Sequence, residues 1–180
     1  RQTNFRRPIR TLVLVPTREL AVQVGDILTH LAYQPGLKVA VVYGGVSINP
    51  QMMGLRGGAD IVVATPGRLL DLVDHNAVHL GSVQHLVLDE ADRLLDLGFA
   101  DELQRVLALL PAQRQTLLFS ATYAEPVQAL AQGLLHDPVR VTVDAVAAQA
   151  PDIRQRAIAV DEKKRTALLR HLMAEQGWKR

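Results

Sequence analysis

The stretch 85–99 reads "HLVLDEADRLLDLGF". A short apolar run, "HLVLD" (85–89), ends in three acids within four positions, Asp89, Glu90 and Asp92. A continuous apolar run of this length suits a strand buried on both faces. Two adjacent carboxylates at the end of such a strand repel each other, so a cation or a proton is the better account of them. The plainer alternative is that Asp89 or Asp92 only caps the helix that follows.

The same grammar repeats on both sides. "TLVLV" (11–15), "VAVVY" (39–43), "DIVVA" (60–64), "QTLLF" (115–119) and "VRVTV" (139–143) also read as strands. Between them, 17–32, 49–58, 66–75, 101–110 and 124–135 have helical spacing. Strands alternating with helices predict an α/β fold, a doubly wound parallel sheet with right-handed crossovers. Functional groups then gather beyond the carboxyl ends of the strands. "DAVAAQAPD" (144–152) breaks the pattern and reads as a linker. A strand over 153–160 and a helix over 161–177 follow, with Asp161 as N-cap and Gly177 as stop. One strand and one helix cannot enclose a core. The expected organisation is therefore a basic lead-in (1–10), a partial first domain (11–143), a linker (144–152) and the start of a second domain (153–180).

The 180 residues are 48% hydrophobic and carry a net charge of +2. That charge is uneven. Residues 1–10 hold four arginines and no acid, and 151–180 hold eight basic and four acidic residues, which leaves eight bases against fourteen acids between them. A broad basic face is not expected. Nucleic acid bound to the central part would be gripped by a few placed residues, backbone amides and helix N-termini. The basic ends read equally well as solvated tails. No apolar run approaches the roughly 20 residues of a membrane span, and the basic start is not followed by an apolar signal segment. There is no cysteine, which excludes disulfides and thiolate metal sites. A soluble cytoplasmic protein is expected. His75 and His79 are four apart, but "HNAVH" lacks the glutamate of the zinc-protease pattern.

Four clusters sit at predicted strand ends. Pro16-Thr17-Arg18-Glu19-Leu20 and Thr65-Pro66-Gly67-Arg68 both read as helix starts with threonine as N-cap. Taken alone, each is explained by capping. Each also puts a hydroxyl, free N–H groups and an arginine at a helix N-terminus, a local recipe for phosphate. The third cluster is Asp89-Glu90-Ala91-Asp92, the Walker B arrangement, in which the Asp holds Mg²⁺ through water and the Glu polarises the attacking water. The fourth is Ser120-Ala121-Thr122, whose hydroxyls either bond nearby carboxylates or start the next helix.

"PTREL", the Gly44-Gly45 pair, "TPGR", "DEAD" and "SAT" occur in this order. On these motifs the chain resembles the DEAD-box ATP-dependent RNA helicases over residues 9–180. Phrases such as "VVYGGVSINPQM" and "VLDEADRLLDLGF" look most like the bacterial RhlE-type subgroup. The resemblance implies a RecA-like (P-loop NTPase) first domain and the first strand and helix of a second. It implies ATP and Mg²⁺ as cofactors, with Asp89 at the metal and Glu90 as catalytic base. It implies that Asp92 bonds Ser120 and Thr122 and links the nucleotide site to unwinding. It further implies that Thr17, Arg18, Gly45, Thr65, Gly67 and Arg68 contact the RNA sugar-phosphate backbone, without reading sequence. The seven aromatics are scattered, so a base-stacking platform is not expected.

The family pattern is incomplete here. A phosphate loop needs G-x-x-x-x-G-K-[ST], and no Gly-Lys pair occurs in the chain. The adenine-reading Q motif is absent too. The resemblance implies that both lie upstream and that further RNA contacts and an arginine finger lie downstream. The expectation is a piece of an enzyme that couples Mg-ATP hydrolysis to local RNA unwinding, itself unable to hydrolyse ATP. The alternative is a non-catalytic RNA-binding or protein-interaction module derived from a helicase. In the family the P-loop strand is expected beside the acidic and "SAT" strands, so the 180 residues alone should be marginal, swapped or aggregation-prone.

Overall fold

The computed structural model describes residues 7–143 and 156–175. The chain divides into two compact units after Pro138.

The first unit is a parallel sheet wrapped by helices. Its strands are β1 (Thr11–Leu14), β2 (Val39–Val42), β3 (Ile61–Ala64), β4 (His85–Leu88) and β5 (Gln115–Leu118). Each is one residue shorter than the apolar run that predicted it. The spatial order is β2-β3-β1-β4-β5, and all pairs are parallel. The helices are α1 (Arg18–Ala32), α2 (Asn49–Leu55), α3 (Pro66–Asp74), α4 (Ala91–Asp96), α5 (Ala100–Ala108) and α6 (Glu125–Leu134).

Alternation along the strands builds two cores. Leu12, Leu14, Val62, Ala64, Leu86 and Leu88 point to one face, where α3 adds Leu69 and Leu72 and α5 adds Leu103 and Val106. Val13, Val15 and Val63 point to the other, where α1 brings Ala21 with Leu20, Val24 and Leu28. Gly25 lets α1 lie against β2, because a Cβ there would collide with the side chain of Val41.

The amino-terminal ends of the strands meet at Asp60, a buried acid just before β3. Its Oδ2 accepts from Arg7 Nη1 (2.8 Å) and from the Lys38 backbone N–H (2.8 Å), and its Oδ1 from Arg10 Nη2 (3.4 Å). Arg7 Nη1 also donates to Gly36 O (2.9 Å). Arg7 and Arg10 are therefore not a solvated tail. They tie the segment before β1 to the heads of β2 and β3. Burial alone would raise the Asp60 carboxyl, but the Lys38 N–H and the two guanidinium groups outweigh it and hold it below the usual carboxylate range.

The expected sixth strand does not form. Residues 139–143 carry no strand, and Val139, Val141 and Val143 are at least 82% exposed. β-Branched composition favours an extended chain, but a strand needs a neighbour and a surface to cover. The described part of the 153–160 strand, 156–160, is likewise irregular. The expected linker, 144–152, and Gly177 lie outside the described residues. In the second unit a 3₁₀ turn (Glu162–Lys164) precedes α7 (Arg165–Glu175). The Asp161 side chain makes no cap bond, and its carbonyl accepts from the Lys164 N–H instead (2.8 Å). α7 has no buried residue. Among the described residues no helix is long and apolar enough to cross a membrane.

One expectation about the sheet needs correcting. β4 is paired on both sides, to β1 and β5, so no further strand fits beside both the acidic and the "SAT" strands. Among the described residues the outer edge of β5 has no partner strand.

Two outcomes follow from this architecture. A depressed carboxyl stabilises the fold above its unfolded value near 3.9, and that contribution fades as pH falls through the lower folded value. Asp60→Asn is expected to cost about 1–3 kcal/mol at pH 7, with the gap to the parent closing below about pH 4; urea melts across pH measure both, and equal stability at pH 7 would refute the role. The open β5 edge predicts concentration-dependent association of the 180-residue chain in sedimentation velocity; a monomer with a cooperative melt at every concentration would contradict it.

Candidate functional site

The strands end in one row, Val42, Ala64, Leu14, Leu88 and Leu118, fixed by the sheet register. The ladder runs one step further: Thr65 N–H donates to Val42 O, Val15 to Ala64, Asp89 to Leu14 and Phe119 to Leu88. The clusters read from the sequence thus emerge at the same edge. They form two groups.

The first group surrounds the loop after β2. Thr17 is the N-cap of α1, and its Oγ1 accepts from the Leu20 N–H (3.2 Å). Arg18 follows, exposed, with its guanidinium carbon 5.0 Å above the centre of the Tyr43 ring. Thr65 holds the N-cap position of α3 but makes no cap bond. Its hydroxyl faces the neighbouring loop and accepts from the Gly44 N–H (3.4 Å). Capping therefore explains Thr17 and not Thr65. Arg68 is only 9% exposed. Its Nη2 donates to Val46 O (2.7 Å), its Nε lies 3.5 Å from Asp71 Oδ2, and Nε and Nη1 make no hydrogen bond among the described residues. Its guanidinium holds the loop from beneath rather than standing out into solvent. Gly45 has φ +79°, a conformation glycine adopts without strain. Gly67 has open space where a side chain would go, so the fold itself does not demand a glycine there.

The second group is acidic. Asp89 Oδ1 accepts from the Glu90 N–H (3.0 Å), and Oδ2 makes no hydrogen bond among the described residues. Glu90 is the N-cap residue of α4 with φ 49° and ψ 53°, a left-handed conformation that costs a side-chain-bearing residue about 1–2 kcal/mol. Its Oε2 pairs with Arg93 Nη1 at 3.2 Å. Neither Asp89 nor Asp92 serves as the N-cap of α4. Asp92 spans to the segment after β5 instead: its Oδ2 accepts from both the N–H and the hydroxyl of Thr122, each at 2.9 Å. The Asp92 N–H donates to Ser120 Oγ (3.2 Å). Burial would raise the Asp92 carboxyl, but the Thr122 hydroxyl and the Arg93 and Thr122 amides hold it low. Ser120 and Thr122 are thus partners of this acid and not the start of α6, which begins at Glu125.

The donor set suits a hydrated cation better than a protein cage. Among the described residues no three His, Asp or Glu side chains converge as metal ligands. Asp89 offers one carboxylate oxygen, and Mg²⁺ is commonly held by one or two carboxylates with waters and substrate phosphates.

Several residues of the site escaped sequence reading. Gln51, in α2, binds both backbone groups of Tyr43. Arg93 pairs with Glu90 three residues away, a spacing that could have flagged it.

Comparison with known proteins places these groups in context. Residues 3–130 match the family described as DEAD/DEAH box helicase. The chain is 40% identical over 169 residues to the ATP-dependent RNA helicase CshA of Listeria monocytogenes, covering 94% of this chain and 32% of that protein. It is 44% identical over 142 residues to the ATP-dependent RNA helicase DBP3 of Lodderomyces elongisporus, covering 78% and 26%. It spans about a third or less of the length of these relatives. Among solved structures it resembles the yeast DEAD-box splicing factor Prp28 (TM-score 0.68, 34% identity, 71% of this chain and 31% of that one). It also resembles a hypothetical ATP-dependent RNA helicase from Sulfolobus tokodaii (TM-score 0.67, 39% identity, 72% and 39%). The sheet and its flanking helices are those of a RecA-like domain, and with residues 3–130 matched the chain belongs to the DEAD/DEAH box helicase family.

Proposed function

We propose that this chain is part of an ATP-dependent RNA helicase that couples Mg-ATP binding and hydrolysis to local, sequence-independent remodelling of RNA. The observation that carries the proposal is Asp92. One carboxylate, three residues beyond Asp89, is bonded twice to Thr122, so the acidic strand end and the segment after β5 are directly joined. That is the contact a coupling element requires.

The roles follow from the geometry. Asp89 Oδ2 would hold a hydrated Mg²⁺, which supplies charge neutralisation at the phosphates. Glu90, held at a left-handed turn, would orient and deprotonate the attacking water once its Arg93 partner yields. Thr17, Arg18, Gly45, Thr65 and Gly67 would line the RNA track, where hydroxyls, bare backbone and one exposed cation fit sugar and phosphate rather than bases. Arg68 would support that track from within through Val46. The phrases around the motifs favour an RhlE-type member, and a cytoplasmic location fits the absence of cysteine.

The chemistry gives two expected outcomes. In the longer protein that carries the phosphate loop, Glu90→Gln is expected to lower RNA-stimulated ATP hydrolysis by about 10²–10⁴-fold while ATP still binds. Glu90→Gly should lose activity as well, yet raise stability by about 0.5–1 kcal/mol by relieving the left-handed strain. Hydrolysis retained in Glu90→Gln would sink the assignment. The 180-residue chain itself has no phosphate-gripping Gly-Lys segment, and malachite-green assays are expected to show no ATP turnover with or without RNA. RNA-stimulated turnover by the 180 residues would overturn that expectation. Tight, ATP-independent RNA binding by them would favour the non-catalytic module instead.

A further inference from the structure

We infer that Tyr43 and Gln51 are positioning residues that set Arg18 for an RNA phosphate, an inference that rests on the RNA-binding role proposed above. Tyr43 is the first residue after β2, an edge strand of the sheet. An edge leaves backbone N–H and C=O groups without a strand partner. At Tyr43 the side chain of Gln51 takes the partner's place. Its Oε1 accepts from the Tyr43 N–H (3.2 Å) and its Nε2 donates to Tyr43 O (3.0 Å). One side-chain amide thus does for Tyr43 what a peptide group of a neighbouring strand would do. At the other end of β2, Lys38 Nζ donates to Gly54 O (3.0 Å), so α2 is tied to the strand twice.

With both backbone groups engaged, the direction of the Tyr43 Cα–Cβ bond is set, which narrows where its ring can lie. Its half-buried ring lies beneath the Arg18 guanidinium at 5.0 Å. A cation over a ring face is attracted by the ring quadrupole and keeps its N–H edge outward. Arg18 is exposed and forms no ion pair among the described residues, so the ring is what orders it. Without that platform the long side chain would sample many rotamers and lose entropy on gripping phosphate.

The same loop receives the start of α3. Gly44 N–H reaches Thr65 Oγ1, and Val46 O accepts from Arg68. The starts of α1 and α3 thus both meet residues 43–46, by different contacts, and Gln51 secures the loop where it leaves the sheet. Tyr43 and Gln51 need not touch RNA to matter. They act through Arg18 and through the loop.

The test uses the longer protein that carries the phosphate loop, a non-hydrolysable ATP analogue and a ten-nucleotide oligouridylate, with affinity read by fluorescence anisotropy at low salt. Tyr43→Leu is expected to weaken binding about two- to fivefold, and Tyr43→Phe, which keeps the ring, to bind as the parent does. In an Arg18→Ala background Tyr43→Leu should have no further effect, since the cycle measures their coupling. Gln51→Ala should weaken binding similarly and speed amide exchange at Tyr43. A readout without RNA is the upfield ring-current shift of the Arg18 side-chain protons in NMR, expected in the parent and Tyr43→Phe and lost in Tyr43→Leu. Additive losses in the cycle, or no ring-current shift, would overturn the inference. If the ring-current shift is present but no RNA binds at low salt, the RNA-binding reading falls and the phosphate-positioning role falls with it. If RNA binds and the two residues are uncoupled, only the positioning role fails.

Discussion

Parallel pairing in a common register sets Val42, Ala64, Leu14, Leu88 and Leu118 side by side, and the functional geometry depends on that alignment. Each strand is only four residues long. A slip of one residue would turn every core side chain to the opposite face. It would also separate the ends from which Thr17, Gly44, Thr65 and Asp89 project. Apolar burial on both faces prevents this. Leu12, Leu14 and Leu88 are fully buried on one side, and Val15 and Val63 on the other.

The two ends of the sheet are held differently. At the amino-terminal end a single carboxylate, Asp60, gathers two guanidinium groups and a backbone amide into a rigid knot. At the carboxyl end the ties are made by Thr65, Arg68, Asp92 and Thr122, each spanning from one strand's loop to another's. These contacts are short in reach and partly open to water. Strain is also placed at this end, at Glu90. A fixed base and a more adjustable rim suit a site that must respond to what binds there.

The β–α alternation was legible because strands buried on both faces have few alternatives to a continuous apolar run. The same logic failed at 139–143. "VRVTV" has the composition of a strand, but nothing in the sequence says whether a neighbour is available, and its three valines are exposed. At the site, residue types and spacing located Asp89, Glu90, Asp92 and Ser120-Ala121-Thr122. What spacing could not convey was the direction of a side chain. Thr65 occupies a cap position yet serves the next loop, and Arg68, an arginine at a helix start, is buried with its Nη2 on Val46 O. Gln51 and Asp60 act across elements distant in sequence, where local pattern carries no signal.

The strand order has a consequence for how such a chain comes to be folded. β1 lies in the middle of the sheet, but its neighbours are β3 and β4, which follow it by two and three strand–helix units. During synthesis β1 leaves the ribosome before both of its neighbours, so neither flank is paired until Ala64 has followed it, and one stays open until Leu88 has. Contacts this distant in sequence are slow to form. For that interval Leu12, Val13 and Leu14 are an apolar segment with unpaired backbone groups, prone to self-association. Arg6, Arg7 and Arg10, just ahead of it, give that segment a cluster of positive charge that opposes self-association before Asp60 arrives to bind two of them.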